Sequence, residues 1–556
     1  MIHIRGKLYP MSKVNLDALI KREDMFVEGG KESKRGNDDF RISDLEQRAF
    51  FFHSLRKPDF QRETSDWTPE KIYEFIQSFV DGDLIPAIIM WNAGSFNFVI
   101  DGAHRISALM AWVLDDYGDG ILSKPFFDGA EENIIKFHKK TKALVDSNVG
   151  SYQQFVNSLQ SQNSDKKTVE TALRLATLNI KLQWVEGNAE TAETSFFKIN
   201  ESATPINETE KRLLKSRKKP NSIAARAIIH AGAGHKYWRG FQDEPRLKIE
   251  ETAKEINELL FTPKLVTPIK TLDVPIAGKG YSAQTLELIM NMVNFSNSIK
   301  LEDPSKKKKS IDPELEIPDD QDGSETLKYL LNTKRGLSNI TGNASSSLGL
   351  HPAIYFYSAQ GRYQVTAFMA ILELIKDYET RRQLVKFTKV RGTFEAFLWK
   401  YKSIVNQSQV HYGSGIKGYR QLAKLFDFII VQFIDGKGEQ EIINALDINE
   451  EYKFFKPELR ELDPQHRKDF STESKSEVFI RSAISTGLHC TICNGYIHMN
   501  STQVDHKTDK KYGGVGNADN GQITHPYCNS IKDVLIKDGF ITTPMTYDLV
   551  HDFVKK

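Results

Sequence analysis

All three cysteines of this chain fall between 490 and 528, in the segment HCTICNGYIHMNSTQVDHKTDKKYGGVGNADNGQITHPYCNSIK. Cys490 and Cys493 form one pair, and His525 and Cys528 form a second with the same two-residue gap. Zinc takes four nitrogen or sulfur ligands in a tetrahedron, usually delivered as two short-spaced pairs. These four residues therefore predict a Cys3His structural zinc site that folds the segment back on itself. An odd, clustered set of cysteines argues against disulfides and for a metal held in a reducing compartment. The alternative is a reduced, metal-free loop.

Between the two pairs lies VDHKTDKKYGGVGNADNG. Phosphodiester hydrolysis needs a base to activate water and a hard divalent ion to stabilise charge on phosphate. His506 can supply the base. Asp505 can ligate Mg²⁺, because a carboxylate suits that ion. Asn529, directly after Cys528, could complete the same metal site from the opening turn of a helix. Gly513 and Gly514 supply a loop between two short strands. Lys507, Lys510, Lys511 and Lys532 are candidates for phosphate contacts, with ordinary exposed lysines as the alternative. His498 reads as a surface residue rather than a ligand.

This arrangement resembles the HNH endonuclease family, whose pattern runs C-x-x-C, D-H, G-G, N, and C-x-x-C-[HN] with a downstream lysine. The matching residues are Cys490 and Cys493, Asp505 and His506, Gly513 and Gly514, Asn520, His525, Cys528 and Asn529, and Lys532. The resemblance implies a zinc-stapled ββα-metal domain. In it His506 is the general base, Asn520 braces the loop, and Asp505 and Asn529 hold a catalytic Mg²⁺ or Mn²⁺. Two departures stand out: His525 replaces a cysteine, and Asn529 stands where many members have histidine. Asn517 is an alternative to Asn520, but the spacing to Asn529 favours Asn520.

Toward the N-terminus, Thr68-Pro69 opens an amphipathic pattern with Ile72, Phe75, Ile76 and Phe79 on one face. PAIIMW and FNFVI, separated by NAGS, read as paired strands, and the second runs into DGAHR and then a helical ISALMAWVLDD. A helix N-terminus with a glycine and an arginine is a natural anion site. The competing reading has Asp101 capping the helix and Arg105 pairing on the surface. The stretch KPDFQRE (57–63), Trp67, the DGAHR turn and FFKINESATPINETE (196–210) together resemble the GmrS/SspE-type restriction family, with its ParB/sulfiredoxin-like core and DGQHR-type motif. That resemblance implies that Gln61, Arg62, Asp101, Gly102, His104 and Arg105 handle GTP or another nucleoside triphosphate, with the Gln61-Arg62 segment sensing DNA modification. Phe197, Asn200, Ile206 and Glu210 match a third motif, although ESAT stands where the family has a glycine pair. Glu210 also fits a simple capping box begun by Asn207.

The expectation is an α+β multidomain protein. Residues 1–40 form an N-terminal arm that includes the loose EGGKESKRGNDD, 41–240 a ParB-like nucleotide- and DNA-sensing domain, and 241–302 a helical connector. Residues 303–325 form a charged linker whose KKKK run is solvated, 326–450 a helical domain, and 451–556 the HNH nuclease. TAFMAILELIKDYETRRQLVKF and KGYRQLAKLFDFIIVQFI read as amphipathic helices, and NIKLQWVE as a strand.

A formal net charge of +2 means that any basic surface is local. No apolar run reaches the ~18 residues needed to span a bilayer, and MIHIRGKLYP lacks a signal-peptide core. The chain is therefore expected to be cytoplasmic, with DNA and a nucleoside triphosphate as partners, no membrane, and homo-oligomerisation left open. Taken together the resemblances imply an anti-phage, type IV-like restriction endonuclease gated by its N-terminal module. The alternatives are a DNA-binding regulator, or an NTPase whose zinc module does not cut.

Overall fold

The computed structural model describes residues 2–4, 7–9, 14–23, 36–58, 64, 67–124, 132–161, 164–187, 191–192, 195, 199, 212–213, 216–232, 238, 240–280, 283–301, 316–457 and 469–541. The chain is mixed α/β and divides into two compact units, 1–217 with 233–237, and 218–232 with 238–556.

The first unit is built on a six-stranded mixed sheet in the order β3-β5-β7-β6-β8-β4. Its strands are β3 (Arg22–Glu23), β4 (Asp39–Arg41), β5 (Leu55–Pro58), β6 (Ile88–Ala93), β7 (Phe96–Asp101) and β8 (Asn179–Trp184). A separate hairpin pairs β1 (Ile2–Ile4) with β2 (Lys7–Tyr9). β6 and β7 form the expected antiparallel hairpin, and NIKLQWVE supplies β8, parallel to β6. Alternation along the hairpin sends Ile88, Met90 and Val99 into one core and Trp91, Phe98 and Ile100 into another, so the sheet is covered on both faces.

Helix Pro69–Asp81 begins as its sequence predicts, with the Thr68 hydroxyl accepting from Lys71 N at 3.2 Å. It buries Ile72, Ile76 and Phe79 against the first core and ends at Gly82. Helix Ala103–Val113 adds Ile106, Leu109 and Met110 to the same core. Residues 14–23 correct the expectation of a peripheral arm, because Val14, Leu16, Leu19 and Ile20 are buried in that core. Polar neighbours had masked a short apolar set. Most of EGGKESKRGNDD, the segment 59–63, the third family motif apart from Ile199, and the KKKK run lie outside the described residues.

The described residues of the second unit between 220 and 448 are mainly helical, and a small β-hairpin beside a Cys/His cluster follows them. Helices Asp243–Phe261, Ser324–Ser338 and Pro220–Ile229 pack together, as do Val365–Thr380 and Leu384–Lys400 against Tyr419–Ile434. The long amphipathic run from 366 is two helices rather than one. The first ends at Thr380, and Arg382 adopts a left-handed φ of 56° before the next begins at Leu384. At the C-terminal end β9 (Gln503–His506) pairs antiparallel with β10 (Gly521–Thr524), followed by short helices Pro526–Ser530 and Lys532–Lys537. Among the described residues no helix is long and apolar enough to cross a membrane.

Candidate metal centre and active site

The turn at Cys490–Cys493, ahead of β9, and the turn after β10 deliver the four expected zinc ligands to one buried point. The ligand atoms of Cys490, Cys493, His525 and Cys528 all lie within 4.8 Å of one another. Bonds of ~2.3 Å to sulfur and ~2.0 Å to nitrogen at tetrahedral angles would separate S and N by about 3.5 Å. The Cys493 Sγ–His525 Nδ1 and Cys528 Sγ–His525 Nδ1 distances are 3.4 and 3.7 Å. The cage therefore has the dimensions and donor set of a zinc site, and its thiols are free.

His525 is oriented for this role. Its Nε2 lies 3.0 Å from Tyr496 O, so an Nε2–H donates outward and Nδ1 keeps its lone pair toward the sulfurs. Burial, and then the nearby Arg391 guanidinium, hold the imidazole below its ordinary range and keep it neutral.

The residues expected to do chemistry sit on the hairpin beside this cage. Strand alternation points Gln503 and Asp505 toward the two short helices and turns Val504 and His506 the other way. His506 lines a cavity of about 480 Å³ walled also by Asp505, Val515, Asn517, Asn520 and Gln522. Its Nε2 is buried and has no hydrogen-bond partner among the described residues.

Asn520 ties both ends of the intervening loop. Its Oδ1 accepts from Thr508 N at 2.8 Å, and its Nδ2 donates to Thr508 O at 3.0 Å and Val515 O at 2.9 Å. Asn517 acts one step further out, accepting from Asn520 N at 3.0 Å. The loop turns at Gly513 in the left-handed region. A Cβ on Gly514 would lie 1.7 Å from Thr508 O, so that position admits no side chain.

Asp505 is buried, and its Oδ2 accepts from Gln522 Nε2 at 2.8 Å and meets Lys532 Nζ at 2.9 Å. Asn529 donates to Gln503 Oε1 at 3.1 Å, which sets it over the same face of β9 as Asp505.

Lys532 departs from the expected phosphate contact. It is 7% exposed, and its amine bridges Asp505, Asp509 Oδ1 at 2.9 Å, and the carbonyl of His506. Burial opposes the charged amine, but the bonds to Asp505 and Asp509 outweigh it and raise its pKa. Lys511 pairs with Asp533 at 2.9 Å and Lys507 donates to Asp519 O at 2.8 Å, while Lys510 is exposed. His498, expected at the surface, is 1% exposed and packs edge-on to His351 with Asp273 Oδ1 at 3.9 Å. Gln503 and Gln522 were missed in the sequence because only the hairpin places them beside Asp505, and Asp509 because only the packing of Lys532 brings it to the same amine.

The first unit presents the DGAHR turn as expected between β7 and a helix, with Gly102 at φ 96° as the N-cap. Asp101 does not cap that helix. It pairs with Arg105 Nη2 at 2.7 Å, while Arg105 Nη1 donates to Pro86 O at 2.6 Å and Ala87 O at 3.3 Å. Both terminal nitrogens of Arg105 are thus held by acceptors of the protein, which favours the structural reading of this residue. His104 stacks on Trp67 with centroids 5.7 Å apart.

A neighbouring network was not foreseen. The buried Asp17 carboxylate binds Arg22 at 3.0 Å, Lys57, and Thr64 N at 2.9 Å, and so staples the two ends of segment 58–64. Burial alone would raise the Asp17 carboxyl, but Arg22 and Lys57 hold it far below the usual carboxylate range. Gln61 and Arg62 lie outside the described residues.

No curated protein and no solved structure matches the chain. Residues 42–217 match the family model described as GmrSD restriction endonuclease, N-terminal domain.

Proposed function

We propose that this chain is a metal-dependent DNA endonuclease of a type IV-like, anti-phage restriction system. In this reading the C-terminal hairpin cuts, and the N-terminal module binds a nucleoside triphosphate or DNA and gates the cutting. The observation that carries the proposal is the unpartnered Nε2 of His506, held in a cavity at the end of the strand that carries Asp505. The family match over 42–217 supports the restriction setting.

His506 Nε2 takes the proton from a water molecule as that oxygen forms its bond to phosphorus and the bond to the leaving oxygen breaks. Asn520 keeps the loop opposite His506 in place through its three side-chain bonds. Asp505 and Asn529 would hold a divalent ion, which supplies charge stabilisation at the phosphate when bound. Asp505 and His506 both line this cavity, although their side chains leave β9 on opposite sides, so the scissile phosphate would sit at the strand end between them.

The Lys532–Asp505 contact favours one competing reading, a zinc module that docks on DNA without cutting. Cleavage of plain, methylated, glucosylated and phosphorothioated DNA, with Mg²⁺ or Mn²⁺ and with or without GTP and ATP, separates the two. His506→Ala should abolish cutting while leaving zinc content unchanged. Equal cleavage by that variant, or no cleavage by the parent under any of these conditions, would remove the assignment.

A further inference from the structure

The zinc-type cage is not closed by its own segment. Helix Leu384–Lys400 lies against it through a glycine and an arginine one position apart. A Cβ on Gly392 would stand 2.8 Å from Cys493 O, so the helix backbone rests directly on the C-x-x-C turn. Beside it Arg391 is 0% exposed, which is rare for an arginine and demands complete pairing.

That pairing is present. Arg391 Nε binds Glu395 Oε1 at 2.6 Å, Nη2 donates to Gly349 O at 2.9 Å, and Nη1 donates to Leu348 O and lies 3.3 Å from His525 Nδ1. A Cβ on Gly495 would come 2.6 Å from Arg391 Nε, so the zinc-side loop has a glycine where the guanidinium passes. Glu395 continues the chain of contacts. Its Oε1 accepts from Tyr355 OH at 2.9 Å and its Oε2 accepts from Tyr496 N at 2.6 Å. Tyr496 is the residue whose carbonyl receives the Nε2–H of His525.

The planar fork, which reaches Glu395, Leu348 O and Gly349 O at once, is the reason for an arginine here. Three thiolates and a neutral imidazole around a divalent ion leave one net negative charge in a site sealed from water. The Arg391 guanidinium stands beside this charge, and because Glu395 neutralises it the cluster as a whole keeps one net negative charge. We propose that Arg391 is a positioning residue of the zinc centre, and that Glu395 fixes both Arg391 and, through Tyr496, the ring of His525. The helical region therefore supplies the outer shell of the metal site. Outer-shell partners of this kind typically change metal affinity about 10–100-fold.

The experiment uses the full chain. Zinc content of the parent tests the metal reading itself, and the variants test the role of Arg391 separately. Zinc release to a chromogenic chelator is timed, and the thiolate-to-metal charge-transfer band is recorded after Co²⁺ substitution. Arg391→Met should release zinc at least ~10-fold faster and shift the Co²⁺ band. Arg391→Lys, which keeps the charge without the fork, should fall between Met and parent. Leu398→Ala on the same helix should lower stability and leave the Co²⁺ band in place. If Arg391→Met does not fold, Arg391→Lys and Glu395→Gln decide by the same two readouts. Parent-like release and an unmoved band in the folded Arg391 variants would overturn the proposal, as would an equal band shift in Leu398→Ala.

Discussion

Replacing Lys532 by methionine distinguishes two roles for a lysine that sequence pattern alone assigns to DNA. The structure gives its amine three acceptors, the Asp505 and Asp509 carboxylates and the His506 carbonyl, in a setting where the Lys532 and Asp505 side chains are 8% and 9% exposed. Methionine keeps the length and the apolar stem but removes the charge. Two carboxylates then face each other without a cation, and one backbone carbonyl loses its donor. Breaking a fully buried ion pair costs about 3–5 kcal/mol. Asp509 is 19% exposed and can recruit water, so the lower end, ~3 kcal/mol, is expected. At roughly 2 °C per kcal/mol for a large unit, that lowers the melting temperature by about 6 °C.

The assay is thermal unfolding of the full chain alongside DNA binding across a salt series. Asp509→Asn in the same background should recover part of the loss, because it removes one of the two stranded charges. A phosphate-contacting lysine predicts the opposite pattern: unchanged stability, weaker binding to every DNA, and a salt dependence shallower by about one unit. That outcome would refute the buried-bridge reasoning and return Lys532 to the DNA surface.

Two further outcomes follow from the same site and its surroundings. Asn520→Ala removes all three side-chain bonds that tie Thr508 to Val515, so cleavage should fall by ~10²-fold with zinc content retained; a parent-like rate would show that the loop holds its shape without them. The second unit should lose stability in acid. Burial lowers His498 from its ordinary value to about 4, only partly offset by Asp273, and burial likewise lowers His351. Both folded values lie below the unfolded one, so the stability they confer is present above ~6.5 and is lost as pH falls toward 4. For His498 the loss by pH 5 is on the order of 2 kcal/mol, read as a falling melting temperature between pH 8 and 5. His498→Gln should flatten that slope, and an equally steep slope in the variant would place the effect elsewhere.

What could be read in the sequence follows the range of the interactions involved. The four Cys and His residues declare themselves because metal geometry forces paired spacing, and the fold brings all four to one point. Helix Pro69–Asp81 and the β6–β7 hairpin declare themselves because capping and alternation are local. Features set by tertiary contact do not. Residues 14–23 look polar, yet four apolar side chains among them complete a core and Asp17 staples a distant segment. Lys532 has the composition of a phosphate contact, and only the packing of its helix on β9 turns it inward. Arg391 and Glu395 are one charged pair among many with i,i+4 spacing. Nothing in their neighbourhood along the chain marks them as partners of cysteines a hundred residues away.

The same contacts bear on where the proposed cutting module ends. A boundary at 451 would separate the hairpin from the loop that supports it. Tyr527 N donates to Ser347 O at 2.9 Å, Gly342 N to Ser501 Oγ at 2.9 Å, and Ser530 Oγ to Ser345 O at 3.0 Å. Gln503, two residues from Asp505 on β9, donates to Asn343 O at 3.3 Å and accepts from Asn529 at 3.1 Å. One loop of the helical region thus touches the zinc ligand His525, the helix that carries Asn529, and the strand that carries Asp505. A fragment beginning at 451 would lose Arg391 from the metal cage and the 342–349 backbone from β9, and would expose buried acceptors at each. The helical region is therefore part of the proposed catalytic fold. A shift of the 342–349 loop would reach Asn529 through Gln503 and the base of the cage through Gly349, with no further element between. That is a contiguous physical route by which the state of the helices can bear on the candidate site.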